Sequence, residues 1–348
     1  MGNAHWLETL SVELPVIQAP MAGAQDDELA CAVAVAGGLG SIPCALLTPA
    51  AAREQVRRFR ERSRAALNLN FFCHRQPSPS LEVLAAWRQR LEPYYRELGI
   101  TAEPAPAAER RPFDDAMCAL VEELEPEVVS FHFGLPERPL LERVRAAGAT
   151  VIATATCVAE ARALEAAGVA AIIAQGAEAG GHRGTFLTTG VDDAEIGSFV
   201  LVPQLVDAVR VPVIAAGGIA DERGVAAARA LGASAVQVGT AYLRCTESKL
   251  SAIRRRALEE ARDDSTRVTN VLTGRRARGI VNRCMRELGP LDGSVPPFPL
   301  ASAALEPLRA KAEAAGRGDF TTLWAGQGAA LATSTTAGEL TRRLGSGW

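Results

Sequence analysis

Three observations predict a parallel (β/α)8 TIM barrel carrying an inserted segment and a smaller, mostly helical domain. Short apolar runs recur along the 348 residues, and most are followed by a Gly, Pro or Asp turn and an Ala-rich helical stretch. Eight such runs occur, the number that closes this barrel. The runs are continuously apolar, as expected of strands buried on both faces.

The expected strands are Val16–Ala19, Leu39–Ile42, Ala66–Phe71, Val128–Phe133, Thr150–Thr154, Ala171–Gln175, Pro212–Ala216 and Ala235–Gly239. Helical periodicity falls between them, as at Val158–Ala167, Val202–Val209 and Asp221–Leu231. Two connections are long. The one after Phe71 is Pro-rich and charged, with a helical middle at Leu81–Leu98, and reads as an insertion. The one after Gln175 opens on the Gly-rich run AQGAEAGGHRGTF, the usual place for an active-site cover. Beyond Gly239 the strand pattern ends, and 246–320 reads as helical with Pro-rich breaks such as SVPPFP. Residues 1–75 and 118–245 are therefore assigned to the barrel, with 320–345 as a candidate to complete it. Residues 76–117 and 246–319 are assigned to a smaller covering domain.

Composition excludes several classes. With 37 basic and 40 acidic residues the net charge is −3, so nothing draws the chain to nucleic acid or an anionic membrane. Hydrophobic residues at 48% and charged residues at 22% supply an ample core and exclude compositional disorder. No apolar run nears the ~18 residues that span a bilayer. The N-terminus has no basic start before an apolar core, so no secretory signal is expected. Trp6 stands where a myristoylation motif needs Ser or Thr. The 7 cysteines are odd in number, scattered and without a C-x-x-C pair, which reads as reduced thiols in a cytoplasmic protein.

Residues just past each barrel strand face the mouth. Here they are Gln18, Asn70, His132, Thr154, Gln175, then His182, Gly217–Gly218 and Gln237–Thr240. No lysine stands at a strand end, which excludes a Schiff-base aldolase. No facing carboxylate pair argues for a glycosidase, and no His/Asp/Glu cluster argues for a metal. Gly176–Val211 holds no cysteine, which excludes a barrel using a thiolate after strand six. Neutral amides suit a planar heteroaromatic ring with donors and acceptors on its rim, such as a flavin. AAGGIADERG and QVGTAYL follow the last two strands. Gly217, Gly218 and Thr240, with the N–H groups of the next helix, suit a phosphate; the plain alternative is turn glycines.

His182, in GGHRG, is the catalytic candidate, because imidazole exchanges protons near neutral pH. A solvated loop histidine is the alternative. Glu178 could orient it or lie at the surface, and Arg183 could attract an anion or face solvent. His132 should point into the mouth, with a packed structural role as the alternative; His74 is a weaker candidate and His5 has no expected role. Cys157 starts the helix after strand five, where a dipole could lower its pKa, though buried filler is the plainer reading. Pro20 and Met21 form the first β/α loop, where Met can pack on a ring or on core.

VIQAPMAG, NLNFF, VVSFHFG, IIAQGAEAGGHRGTF, VPVIAAGGIADERG and AVQVGTAYLRCTES together resemble the nitronate monooxygenase family, formerly 2-nitropropane dioxygenases, over residues 14–285. The resemblance implies an FMN-bearing barrel that oxidises alkyl nitronates with O2 to carbonyl compounds and nitrogen oxyanions. It implies His182 as the catalytic histidine, with His132 near the substrate. It places the flavin against Asn70, Gln175 and Gly180, with Asn68 competing for the place of Asn70. It places the flavin phosphate on Gly218 and on Gln237, Val238, Gly239 and Thr240. Relatives that are NAD(P)H-dependent quinone or enoyl-thioester reductases supply the alternative function. The expected partners are a small-molecule nitronate and O2, with a homodimer as a further expectation that no residue carries.

Overall fold

The computed structural model describes residues 5–78, 80–101, 110–187 and 194–348. Eight parallel strands form the barrel: β1 (Val16–Gln18), β2 (Gly40–Pro43), β3 (Leu67–Phe72), β4 (Val128–His132), β5 (Thr150–Ala155), β6 (Ala171–Gln175), β8 (Val213–Ala216) and β9 (Ala235–Val238). They run in the order β1-β9-β8-β6-β5-β4-β3-β2. The barrel closes where Gln18 N donates to Leu39 O at 3.0 Å and Leu39 N to Val16 O at 2.9 Å. All eight expected strands are present, each within two residues of its expected ends.

Alternation along each strand sorts the core into two layers. Outward residues such as Leu67, Leu69, Phe71, Val129 and Phe131 pack against the helix ring. Inward residues Ile17, Leu39, Val128, Ile152, Ile173 and Ile214 fill the barrel, and Leu7 and Val12 join them. The inward positions change character along the strands. Aliphatic low down, they become Asn70, Ser130, His132, Thr154, Gln175 and Gln237 at the C-terminal ends. That change makes the upper layer a site and the lower one a core.

The helix Leu81–Glu97 packs on the helix Ala301–Ala314. Trp87, Leu91 and Tyr95 share a second core there with Leu272, Met285, Leu305 and Leu308. The C-terminal helix Ala337–Gly345 packs on the helices Asp27–Val35 and Glu222–Ala230 in the barrel's ring.

One expectation fails. The region after Gly239 is not wholly helical, because β10 (Thr266–Thr269) and β11 (Ala277–Ile280) pair antiparallel within it. β11 then pairs with β7 (Gly181–His182), so His182 lies opposite Ala277. Two four-residue strands and one of two residues are too short to show a period. They form because each completes the hydrogen bonding of the others.

Candidate active site

A cavity of about 290 Å³ lies at the C-terminal ends of the barrel strands. This is close to the lower limit of ligand pockets, ~300 Å³. Pro20, Met21, Asn70, His132, Gln175, Gly180, His182, Gly217, Gly218, Gln237, Gly239 and Thr240 all line it. Val238 does not. It has outward parity, is 1% exposed, and packs in the core between strands and helices. Gln18 fails for the same reason: its amide accepts from Ser41 N at 3.0 Å and donates to Gln25 Oε1 at 2.6 Å, joining β1 to β2. Asn68 sits deeper than Asn70 and donates to Ser41 Oγ at 2.9 Å.

The loop after β6 is braced at several points. Gln175 Nε2 donates to His182 O at 3.0 Å, and Gln175 Oε1 accepts from Gly184 N at 2.7 Å. His132 Nε2 also reaches His182 O, at 3.1 Å, while His132 Nδ1 lies 3.1 Å from Thr154 Oγ1. Both ring nitrogens of His132 are therefore engaged within the protein. Glu160, fully buried, accepts from Thr156 N, Thr156 Oγ1 and, at 2.6 Å, Phe186 N, which pins the far end of the loop. Gly180 is required by packing, since a Cβ there would lie 2.5 Å from Gly326 N.

His182 Nε2 lies 3.0 Å from Thr273 Oγ1. The rings of Phe72, Phe133, Phe298 and Trp324 surround it, their centroids 5.1–6.4 Å away. Burial, and then the charges of Arg110 and Arg275, hold the His182 imidazole well below the usual histidine pKa. Burial, reinforced by Arg275, pushes His132 down to about 3. Both rings are thus neutral at physiological pH. Arg275 stacks 3.8 Å over the Phe133 ring.

Several expected roles go elsewhere. Glu178 neither orients His182 nor lies idle at the surface: it accepts from Ser198 N and Ser198 Oγ, both at 2.8 Å, at the start of the helix Ser198–Ala208. Arg183 neither faces solvent nor awaits an anion; it is fully buried and donates to Gln175 O at 2.9 Å. The helix after β8 offers no open N-terminus, because Asp221 caps it by accepting from Arg223 N and Gly224 N. An anion there would meet a carboxylate already in place. His74 is buried outside the cavity wall, its Nε2 3.0 Å from Arg110 O. Cys157 precedes its helix without capping it and is absent from the cavity wall.

Sequence reasoning missed Ser130, Thr273, Trp324, Arg110, Arg254 and Arg309, all on the cavity wall. Counting alternate residues back from His132 would have found Ser130. The others arrive from the insertion and the C-terminal region, where no local pattern marks them.

The wall fits a flavin on its own chemistry. Gln237 Oε1 is buried without a hydrogen-bond partner, an acceptor waiting for a ligand donor. Gly217 and Gly218 hold φ values of 112° and 76°, turning bare backbone toward the cavity. Among the described residues the wall has one carboxylate, Glu178, and it is already engaged by Ser198.

The chain is similar to known proteins along nearly its whole length. The family model for nitronate monooxygenase matches residues 4–347. A nitronate monooxygenase of Paraburkholderia phytofirmans is 42% identical, covering 99% of this chain and 94% of its own. One from Pseudomonas aeruginosa is also 42% identical, covering 96% of each. The structure of a nitroalkane oxidase from Streptomyces ansochromogenes superposes with a TM-score of 0.89 at 39% identity, covering 98% of this chain and 96% of that one. FabK from Thermotoga maritima superposes less well, with a TM-score of 0.74 at 26% identity, covering 100% and 96%. The chain belongs to the nitronate monooxygenase family.

Proposed function

We propose that the protein oxidises alkyl nitronates with O2, using FMN as its flavin. The observation that carries this reading is one cavity walled at the same time by a half-buried, neutral His182 and by the glycine backbones at Gly217, Gly218 and Gly239. The amides of Asn70 and Gln237 would hold the flavin ring. The N–H groups near Gly218 and Gly239 would hold its phosphate, with the hydroxyl of Thr240, whose oxygen also accepts from Gly326 N at 2.9 Å. When bound, the flavin supplies the electron transfer between substrate and O2.

The chain's own residues bind, shield and move a proton. The ring cage around His182 excludes water and keeps the imidazole neutral, so it can accept a proton. For a neutral nitroalkane, His182 takes the α-carbon proton; the C–H electron pair moves into the nitro group, leaving a nitronate and an imidazolium. A nitronate supplied as such omits that step. Arg110, Arg254 and Arg309 on the wall attract the anion. His132 ties β4 to the catalytic loop by holding His182 O. The reductase alternative has the weaker support, since FabK is the more distant structural match. All 7 cysteines are free thiols, which favours a reducing, cytoplasmic setting.

Flavin extracted from the purified protein is expected to be FMN, near one per chain; FAD would contradict the cofactor assignment. Gly239 is the clean site for testing phosphate placement. A Cβ there meets Ala19 Cβ at 3.4 Å and Met21 Sδ at 3.7 Å, ordinary contacts, whereas any side chain at Gly218 strains a φ of 76°. Gly239→Val should lower flavin retention on dialysis by about tenfold, roughly 1.4 kcal/mol, with little change in apoprotein Tm. Full retention would move the phosphate elsewhere.

A further inference from the structure

Thr273 Oγ1 lies 3.0 Å from His182 Nε2 and donates its own proton to Arg275 O at 3.3 Å. A hydroxyl carries one proton and two acceptor lone pairs. With the proton directed at the carbonyl, the oxygen can only accept from His182. In that arrangement Nε2 bears the hydrogen, and the lone pair of the neutral ring lies on Nδ1. No described residue forms a hydrogen bond to Nδ1, and His182 lies on the cavity wall. His132 is locked in the same way, because only an Nε2–H can donate to His182 O, which leaves its Nδ1 to accept from Thr154. Of the four ring nitrogens in the pair, one has no hydrogen bond among the described residues.

We infer that Thr273 is a positioning residue that fixes the Nε2–H tautomer of His182, making Nδ1 the atom that takes the substrate's α-carbon proton. In that step the C–H bond breaks, its electron pair enters the nitro group, and the proton forms the Nδ1–H bond of an imidazolium. Thr273 then holds a ring that carries hydrogen on both nitrogens, without exchanging a proton itself. Thr273 is 1% exposed and comes from the segment joining β10 to β11, so the small sheet delivers the residue that sets the chemistry of its own strand β7. The kinetic half of this inference rests on the proposed role of His182 as base; the tautomer half does not.

The test has two arms. With only 4 histidines in the chain, the ¹⁵N resonances of labelled holoprotein can be assigned by single substitutions. His182 should show a protonated Nε2 and an unprotonated Nδ1, and Thr273→Val should turn this into a mixture of tautomers. A hydrogen on Nδ1 in the parent protein would overturn the inference outright. In kinetics, Thr273→Val should lower kcat for neutral nitroethane about 10- to 100-fold more than kcat for ethyl nitronate, less than the ~10²–10⁴ a general base is worth. Thr273→Ser keeps the hydroxyl and should restore the ratio to within about threefold of the parent. Equal losses on both substrates, or a Ser variant no better than Val, would reduce Thr273 to a packing role. A correct tautomer without any nitroalkane turnover in the parent would fault the base assignment and leave the tautomer intact.

Discussion

His182→Asn should keep its flavin and lose roughly 10²- to 10⁴-fold in turnover of neutral nitroalkanes, the range general-base catalysis supplies. Asparagine retains a polar group near Thr273 and removes the ring nitrogen assigned above to take the proton. The same variant should keep much more of its activity on a nitronate, which has no α-proton left to remove. The comparison separates proton removal from binding: a binding defect lowers both substrates together. Since burial holds the imidazole well below its usual pKa, the loss should be the same at pH 6.5 and pH 8. Unchanged nitroalkane turnover would remove His182 from the base role.

Stability should fall steeply on mild acidification, well before the carboxylates titrate. Burial pushes His74 down to about 4 and His132 down to about 3, and His182 is also well below its usual value. An unfolded histidine binds its proton near pH ~6.5, so below that pH the unfolded chain carries protons that the folded chain refuses. The stability from these neutral rings is complete above pH ~6.5 and is lost progressively toward pH ~4 and below. At pH 5 His74 and His132 have each cost about 2 kcal/mol, a large share of a marginal protein's reserve of about 5–15 kcal/mol, and His182 acts in the same direction. Ion-paired carboxylates such as Glu97 and Glu122 are shifted downward instead, so their contribution persists to lower pH. Tm measured between pH 7.5 and 5 should therefore drop, and His74→Gln should flatten part of the slope. A level Tm over that window would contradict the neutral-histidine site.

Much of this site was legible because a barrel strand shows its inward face every second residue. Asn70, His132, Thr154, Gln175 and Gln237 sit where that count places them, at the strand ends. The same count, applied strictly, would have rejected Gln18 and Val238, which face the other way. His182 stood out because a titratable ring lay among glycines. Thr273, Trp324 and Arg309 carried no such mark. They reach the cavity through contacts between segments far apart in sequence, and β7 and β11 are too short to announce their pairing. Glu178 and Arg183 stand beside the motif, so chemistry was an easy expectation. In the structure they serve the loop: one carboxylate holds Ser198, and one guanidinium holds Gln175 O.

Oxygen uptake by flavin-loaded protein tests the central claim most directly, with propionate 3-nitronate alone in one cell and NADH plus a quinone in another. Rapid uptake with the nitronate and no reductant is the predicted result. No response to nitronate, together with steady NADH consumption in the second cell, would contradict it and make the protein a flavin reductase on the same barrel.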